Sequence, residues 1–471
     1  MLPIMFCGTG SDVGKSILAT AVCRILKQDG YSPAPFKAQN MALNSYVTPD
    51  GLEIGRAQAV QAEAACADME TDMNPVLLKP TGHCASQVVL NGRPVGNRTA
   101  YDYFRGTGRK LLWDAACQAF DRLAAKYDPI IMEGAGSISE LNLRDNDIVN
   151  LPMARHAQAR VVLVADIDRG GVFASCYGSI ALQTPADRKL IRGIVVNKFR
   201  GDMRLFDDGR KMLECICGVP VLGVIPFFDD IHIDEEDSVE LEHKNTKAQP
   251  QGVNVAVMRV GQLSNFTDFD ALERDPRLHL FYTDHPSELL KADIIILPGS
   301  KSTLADLDAI WHNGCAEAVL QAHRTGKTIV GICGGFQMLG TEVLDPDHVE
   351  GGGTRSAGLG LLPMTTTMDR EKTTRRVTTD GQGHPLQGYE IHNGRSLVNG
   401  QTPPRIVRDG RVYGTYVHGV FDNASFLDEV LAPYVHGGSP HTNAKDYKEA
   451  QYNLLADHVR RHLDIERLIR L

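Results

Sequence analysis

The chain has 471 residues and a formal charge of -9, from 49 basic and 58 acidic side chains with no basic block, which argues against nucleic acid as the main partner. This length predicts two or three domains, and the content of 43% hydrophobic and 23% charged residues is typical of a globular protein in water. We expect no membrane span and no signal peptide, because the apolar runs are short and the first strand starts almost at once. The ten cysteines are scattered without a CxxC pair, as is typical of reduced thiols in a cytoplasmic protein.

The first motif lies between an apolar run at residues 3–7 and a helical pattern that follows from residue 17. It is a glycine-rich loop made of Gly8, Thr9, Gly10, Ser11, Asp12, Val13, Gly14, Lys15 and Ser16. A loop between strand and helix predicts an ATP site, since backbone N–H groups and the helix N-terminus bind phosphate. Lys15 would contact the outer phosphates and Ser16 would bind Mg²⁺. The five residues between Gly8 and Gly14 make the loop similar to that of dethiobiotin synthetase, and less similar to that of Ras.

Polar residues follow several further apolar runs of the first domain. Lys37 and Gln39 follow a predicted strand at 32–36 and are expected to face the phosphates, because ligands bind at the carboxyl ends of parallel strands. Glu133 ends a strand at 128–132, where a carboxylate would hold Mg²⁺. Asn197 follows the run 193–196 and would contact the nucleotide base. The residues proposed to form a substrate loop are Gln39, Asn40, Asp166, Asp168 and Arg169.

Apolar strands that alternate with helices predict an α/β fold with a doubly wound parallel sheet, repeated in two domains. The first, residues 1–245, would be the ATP-dependent synthetase domain. A polar connection at 246–252 would lead to a second domain at 253–435, and residues 436–471 would form a C-terminal segment with an amphipathic helix.

The second domain contains a candidate nucleophile, Cys333, flanked by glycine between a strand and a helix. Small neighbours permit the strained turn of a nucleophile elbow, and the helix N-terminus favours the thiolate. The N–H group of Gly334, with one from the turn at Gly299, would form an oxyanion hole.

A cysteine nucleophile needs a base, and His418 follows the predicted strand 411–417. His392 is the competing candidate. His418 is preferred because a position late in the domain, on a strand followed by a turn, suits the elbow. Val420 stands where an acid two residues after His418 would complete a triad, so another residue must orient the imidazole.

The pattern G-x-C-G-G-x-Q at residues 331–337, with a distal histidine, resembles the class I glutamine amidotransferases. That resemblance implies a flavodoxin-like domain that releases ammonia from glutamine through a thioester on Cys333, with Gln337 near the bound glutamine. Behind a dethiobiotin-synthetase-like P-loop domain, it resembles the cobyrinic and cobyric acid synthase group. Four strings resemble one branch of that group, at residues 37–45, 166–173, 197–202 and 264–270.

The resemblance implies a carbon–nitrogen ligase of cobalamin biosynthesis with a corrinoid substrate, ATP, Mg²⁺ and glutamine as the nitrogen donor. The implied reaction is amidation of the b, d, e and g carboxylates of adenosylcobyrinic a,c-diamide through acyl phosphates. A homo-oligomer is compatible with the sequence. Two alternatives stay open: the sister branch, which amidates the a and c carboxylates of cobyrinic acid, and an ATPase switch with an inactive glutaminase-like domain.

Overall fold

The computed structural model describes residues 1–80, 85–99, 108–234, 244–350, 353–381, 383–435 and 444–471. Within these ranges, every helix is either too short or too polar to cross a lipid bilayer. Two parts of the predicted domain division lie outside the described residues. They are residues 235–243 near the end of the first domain and residues 436–443 at the start of the C-terminal segment.

The first half of the chain alternates strands and helices, as its apolar pattern predicts. Its strands are β1 (Ile4–Gly8), β2 (Ala34–Phe36), β3 (Gln39–Met41), β4 (Ser45–Val47), β5 (Glu53–Gly55), β6 (Val76–Pro80), β7 (Ala85–Leu90), β8 (Arg93–Thr99), β9 (Ile130–Glu133), β10 (Arg160–Asp166), β11 (Ile191–Phe199) and β12 (Val221–Pro226). Its helices are α1 (Lys15–Gln28), α2 (Arg56–Ala65), α3 (Gly108–Ala124), α4 (Leu151–His156), α5 (Val172–Ala181), α6 (Pro185–Arg188) and α7 (Asp207–Cys217).

Six of these strands form a parallel sheet in the order β12-β11-β10-β1-β9-β2. The central strands are buried on both faces because their residues are continuously apolar; residues 161–165 have 0% exposure. All six carboxyl ends meet at one edge of the sheet, and this edge carries the phosphate loop. The predicted doubly wound α/β fold of this domain is confirmed.

The sequence pattern did not predict two small sheets beside the main one. One has the order β3-β6-β7-β8 and the other pairs β4 with β5. Polar residues interrupt these strands, so they lack the long apolar runs by which the central strands of the main sheet are recognised. They lie between the two halves of the chain and supply residues to the interface described below.

The second half has the same architecture. Its strands are β13 (Val253–Met258), β14 (Leu263–Ser264), β15 (Leu278–Thr283), β16 (Ile294–Leu297), β17 (Gly299–Ser300), β18 (Thr328–Ile332), β19 (Glu342–Leu344), β20 (Arg355–Ala357), β21 (Met364–Thr379), β22 (Pro385–Val398), β23 (Ile406–Asp409) and β24 (Val412–Thr415). Its helices are α8 (Asp270–Glu273), α9 (Pro286–Leu289), α10 (Thr303–His312), α11 (Cys315–Arg324), α12 (Gly334–Met338), α13 (Ala424–Leu431), α14 (Ala444–His462) and α15 (Ile465–Arg470).

Its main sheet has the order β15-β13-β16-β18-β24-β23, in which only β23 is antiparallel to its neighbour. A long hairpin of β21 and β22 extends from this domain towards β4 of the first. Helix α14 returns to the first domain, where Leu455 and Val459 share a core with residues of α1. Arg24 on α1 donates to Glu449 at 2.5 Å. The end of the chain therefore stabilises the helix that follows the phosphate loop.

Candidate active sites

The phosphate loop connects the end of β1 to the start of α1. Gly14 caps the helix with φ of 94°, a left-handed conformation that glycine adopts without strain. A Cβ atom at Gly8 would lie 2.6 Å from the Gly10 oxygen and 2.9 Å from Lys15 Nζ, so the close turn requires glycine there as well. Lys15 Nζ donates to the carbonyl oxygens of Gly10 at 3.0 Å and Gly136 at 3.1 Å. The predicted loop thus holds its lysine over the space that faces the helix N-terminus.

Glu133 at the end of β9 lies beside this loop. Its carboxylate accepts hydrogen bonds from Ser16 Oγ at 2.8 Å, Lys37 Nζ at 2.8 Å and Gln61 Nε2 at 2.7 Å. Burial opposes its ionisation, but Lys37 and the hydrogen bonds from Gln61 and Ser16 hold the pKa of Glu133 below its usual value. Burial, together with Lys37, lowers the pKa of Lys15. The structure therefore brings Ser16, Lys37 and Glu133 together as predicted from the strand ends.

This donor set fits a magnesium ion bound together with ATP. The Ser16 hydroxyl and the ionised Glu133 carboxylate are adjacent oxygen groups, and Mg²⁺ usually takes one or two protein oxygens with phosphate and water as its other ligands. Within the described ranges, no cluster of three or more His, Cys, Asp or Glu side chains could hold a metal ion by itself. Ser16 and Glu133 would therefore share the ion with the nucleotide.

Asn197 lies at the end of β11 on the other side of β1. Its Nδ2 donates to the Val13 carbonyl oxygen at 2.9 Å, so part of the amide supports the phosphate loop itself. It also lines a cavity of about 720 Å³ that runs from Gly14 to Phe266 and Arg274 of the second half of the chain. Contact between Asn197 and a nucleotide base remains a prediction, and this cavity is the space in which a base would lie.

The five residues proposed as a substrate loop form two groups. In the first, Asp166 Oδ1 accepts from the Asp168 N–H at 2.8 Å, and Arg169 Nε lies 3.9 Å from Asp166 Oδ2. Asp166 pairs with Lys198 at 3.1 Å. Asp168 accepts from Arg200 at 3.0 Å, and Arg169 lies 3.8 Å from Asp12. Asn40 is buried and donates to Gln58, and Gln39 lines a separate cavity on the β9 side of the loop. The two groups are separate because Asp166 ends β10 of the main sheet, whereas Gln39 and Asn40 lie on β3, which belongs to a different sheet.

Cys333 in the second domain has the backbone of a nucleophile elbow. Its φ of 52° is unusual for a residue with a side chain, and it caps the N-terminus of α12. A Cβ atom at Gly335 would lie 2.0 Å from the Leu297 oxygen, so only glycine allows the sharp turn after it. A Cβ at Gly334 would lie 2.8 Å from the Ser300 nitrogen, and one at Gly299 would lie 3.3 Å from His418 Cε1. The residues predicted for the oxyanion hole thus surround the elbow.

His418 has the acid partner that the sequence did not reveal. Asp268 Oδ2 lies 2.7 Å from His418 Nδ1, and its Oδ1 accepts from the Gly419 N–H at 2.8 Å. Both side chains are buried. Burial alone would lower the pKa of His418, but Asp268 and Cys333 together raise it to about 10. Cys333, His418 and Asp268 therefore have the arrangement of a triad, in which the Asp268 carboxylate favours the protonated imidazole.

The competing histidine is arranged differently. His392 Nδ1 hydrogen-bonds to the Gly394 carbonyl oxygen at 2.8 Å. Its ring stacks on that of Tyr416, with 3.7 Å between the two ring centroids. It lines the cavity beside Cys333, but the ring that bonds to the buried aspartate is that of His418. Gln337, which was expected near bound glutamine, lines the same cavity and accepts from Thr303 at 3.1 Å.

The site around Cys333 and His418 is completed by residues of both domains. Asn265 Nδ2 lies 3.1 Å from His418 Nε2, and Asn265 Oδ1 accepts from the Ser45 N–H at 3.1 Å. Next to Ser45, Glu53 accepts from Lys79 at 2.7 Å and from Lys372 on the long hairpin at 2.5 Å. The sequence did not reveal these contacts, although the segment 264–270, which resembles one branch of the family, carries both Asn265 and Asp268.

Family models match both halves of the chain, and similar proteins match its whole length. The family model described as a CobQ/CobB/MinD/ParA nucleotide binding domain matches residues 4–240, and that described as a CobB/CobQ-like glutamine amidotransferase domain matches residues 254–426. A cobyric acid synthase of Phocaeicola vulgatus is 58% identical over 485 residues, with 100% of this chain and 98% of that protein covered. One of Bacteroides fragilis is 59% identical, with 98% and 97% covered, and one of Parabacteroides distasonis is 52% identical, with 98% and 97% covered.

Proposed function

The chain belongs to the cobyric acid synthase family, and we propose that it amidates the b, d, e and g carboxylates of adenosylcobyrinic a,c-diamide with ATP and glutamine. The observation that supports this proposal is that one chain contains two half-sites: a synthetase half-site at the phosphate loop and a glutaminase half-site at Cys333. Ser16, Lys37 and Glu133 meet at the phosphate loop, and Cys333 lies with His418 in the second domain. An ATPase switch with an inactive glutaminase domain would not need this triad.

The synthetase half-site activates a carboxylate, which is a poor acceptor for an amine because it is anionic. A carboxylate oxygen of the substrate attacks the γ-phosphorus of ATP, ADP leaves, and an acyl phosphate forms that ammonia can attack. Lys15 and Lys37 would offset the negative charge of the transferring group in a buried site, where this interaction is strong. Mg²⁺, held by Ser16 and Glu133, would supply further charge neutralisation when bound.

The glutaminase half-site supplies the ammonia. The Cys333 sulfur attacks the side-chain amide carbon of glutamine, and the imidazolium of His418 gives its proton to the departing nitrogen. Water then hydrolyses the thioester, which releases glutamate and restores the cysteine. Asp268 fixes the ring so that Nε2 faces the sulfur, and it stabilises the imidazolium. A pKa of about 10 for His418 suits this role as the resting proton donor.

Ammonia must then travel from Cys333 to the acyl phosphate without acquiring a proton from bulk water. The segment from β5 into α2 leads from one half-site to the other, because Glu53 borders the Cys333 cavity through Lys79 and Lys372 while Gln61 contacts Glu133. At the rise per residue of strand and helix, this segment spans about 15 Å. We infer that ammonia passes along this face of α2.

Two buried glutamines on α2 support this route. Gln58 and Gln61 have 0% exposure, and the Nε2 of Gln58 and the Oε1 of Gln61 have no hydrogen-bond partner among the described residues. Such groups are rare in folded proteins and costly unless something binds to them. Ammonia carries one lone pair and three N–H groups, so it can accept from Gln58 and donate to Gln61. Ammonium has no lone pair and could not use the Gln58 donor.

The experiment that tests the proposed function measures stoichiometry. The protein is incubated with Mg-ATP, glutamine and the a,c-diamide, and glutamate, ADP and corrinoid amide are quantified together. We expect one glutamate and one ADP for each amide formed. ADP formation that is independent of the corrinoid would contradict the synthetase assignment, and glutamate release without amide formation would contradict transfer between the half-sites.

A further inference from the structure

A second large cavity lies beside the phosphate loop, on the side of β1 that faces β9. It has a volume of about 960 Å³, and its wall is formed by the segment 135–152 after β9, the start of α3 and residues 183–187. Its inner end is part of the nucleotide site: the Gly136 carbonyl oxygen accepts from Lys15 Nζ at 3.1 Å, and Ser137 Oγ donates to the Thr9 oxygen at 2.9 Å. A molecule in this cavity would therefore reach the outer phosphate of ATP.

We propose that this cavity is the binding site of the corrinoid substrate, a proposal that rests on the function proposed above. A carboxylate can receive the γ-phosphoryl group only if it lies in line with it. The cavity lined by Gly14 and Asn197 takes up the β11 side of the loop, where the nucleoside would bind. The substrate must then approach from the opposite side, and Gln39 and Gly136 mark the point where the second cavity opens towards the phosphates.

The wall of the cavity suits a large macrocycle. Its apolar members provide flat or branched surfaces against which a ring can pack: Trp113, Ile138, Leu143, Val149 and Pro152. The wall is also held in place by hydrogen bonds that do not depend on a ligand. Asn150 Oδ1 accepts from the Ala135 N–H at 3.0 Å, and Gln183 Nε2 donates to the Ile138 oxygen at 2.8 Å. The site is therefore largely formed before the substrate binds.

The charges of the wall are balanced, which suits a substrate that changes charge during the reaction. The lining includes four basic residues, Arg109, Lys110, Arg144 and Arg155, and an equal number of acidic residues. Each amidation removes one negative charge from the corrinoid. A strongly basic wall would hold the first substrate much more tightly than the last intermediate, whereas a balanced wall binds all of them similarly. Amides that have formed can donate hydrogen bonds to the acidic residues.

Arg109 is the cation best placed to bind a substrate carboxylate. Arg155 pairs with Asp187, and Lys110 pairs with Asp114. Arg144 donates to the Leu182 oxygen at 2.9 Å and to Gln183 Oε1 at 3.0 Å, whereas Arg109 has no ion-pair partner in the part of the chain that the structure describes. If Arg109 donates a charge-assisted hydrogen bond to a substrate carboxylate, Arg109→Ala should raise the KM for the a,c-diamide by roughly tenfold or more. The KM for glutamine should be unchanged. Arg192→Ala, at an exposed arginine at the start of β11, is the matched control and should leave both values unchanged.

The two tryptophans of the chain allow a test that does not require turnover. Trp113 lines the cavity, whereas Trp311 lies in the second domain and donates to the Ala357 oxygen. Corrinoids absorb at the wavelengths at which tryptophan emits, so the a,c-diamide should quench the fluorescence of the Trp311→Phe variant, which retains Trp113, more strongly than that of Trp113→Phe. Equal or reversed quenching, or an unchanged KM in Arg109→Ala, would overturn the proposal. Binding of the amidated product more than about a hundredfold more weakly than the diamide would overturn the argument from charge balance.

These outcomes are separable from a failure of the proposed function. If wild-type protein did not amidate the diamide but Trp113 were selectively quenched by it, the corrinoid site would stand and the reaction would be wrong. If amidation took place without selective quenching of Trp113, the reaction would stand and the site would be wrong. Thermal unfolding of each variant, compared with that of the wild-type protein, shows that its fold is retained.

Discussion

The triad acid provides the sharpest perturbation, because Asp268→Asn removes one charge and keeps the shape of the side chain. Asn can still accept from the Gly419 N–H, as Asp268 does at 2.8 Å, so the local backbone should be retained. What is lost is the carboxylate 2.7 Å from the imidazole. The variant should therefore destabilise the protonated ring without opening a cavity.

The magnitude follows from the pKa of His418. The difference between about 10 in the folded protein and its ordinary value of about 6.5 corresponds to ~5 kcal/mol in favour of the imidazolium. Asp268 shares this effect with Cys333, so its removal should cost ~2–3 kcal/mol in glutamine hydrolysis, or roughly a hundredfold in kcat/KM. Amidation with added ammonia should be unchanged, since that reaction does not use the triad.

The raised pKa of His418 also implies that the free energy of unfolding depends on pH. Because the pKa of His418 in the folded state lies above its ordinary value, the ion pair contributes stability that is fully present below about pH 6.5 and is lost as the pH rises through about 10. Unfolding by urea at several pH values should show this decline in the wild-type protein and a smaller one in Asp268→Asn. Full glutaminase activity in the variant, or an equal loss with glutamine and with ammonia, would refute the assignment of Asp268.

Three further predictions address the other parts of the account. Cys333→Ala should abolish amidation from glutamine and retain amidation from added ammonia, as measured by corrinoid product; loss of both would contradict the division of labour. Lys15→Ala should lower ADP formation roughly a hundredfold, because the variant lacks a charge that would offset the transferring phosphoryl group. Glutamine hydrolysis at Cys333 should persist, and Lys37 still neutralises Glu133 in the variant. Gln58→Glu keeps the oxygen that accepts from Asn40 and removes the unpartnered N–H donor, so glutamate should form in excess over corrinoid amide. Gln28→Met on the exposed side of α1 is the control. An unchanged ratio of glutamate to amide in Gln58→Glu would exclude the route along α2.

The sequence predicted best those features that are local in the chain. A strand, a glycine loop and a helix are consecutive, so the phosphate loop and the elbow at Cys333 could be recognised directly. Lys37 and Glu133 could be placed together because the carboxyl ends of parallel strands share an edge. In contrast, Asp168 and Arg169 follow β10 of the main sheet whereas Gln39 lies on β3 of a separate sheet, and no local pattern shows which strands share a sheet.

The features that the sequence did not reveal depend on contacts between distant segments. Asp268 and His418 are separated by 150 positions, and the link forms only because a short helical turn after β14 packs beside the end of β24. Lys372 and Glu53 meet across 319 positions through a long hairpin whose polar alternation resembles an exposed strand. Search for an acid near His418 in sequence could not succeed, because burial and packing, and not spacing, bring the partner to the ring.

The most direct test of the account is the product of the complete reaction. The full chain is incubated with Mg-ATP, glutamine and adenosylcobyrinic a,c-diamide, and the corrinoids are followed over time by mass spectrometry. We expect successive carboxyl-to-amide conversions that end when the b, d, e and g positions are amidated. An unchanged diamide, together with amidation of cobyrinic acid at its a and c positions, would contradict it and assign the chain to the sister activity.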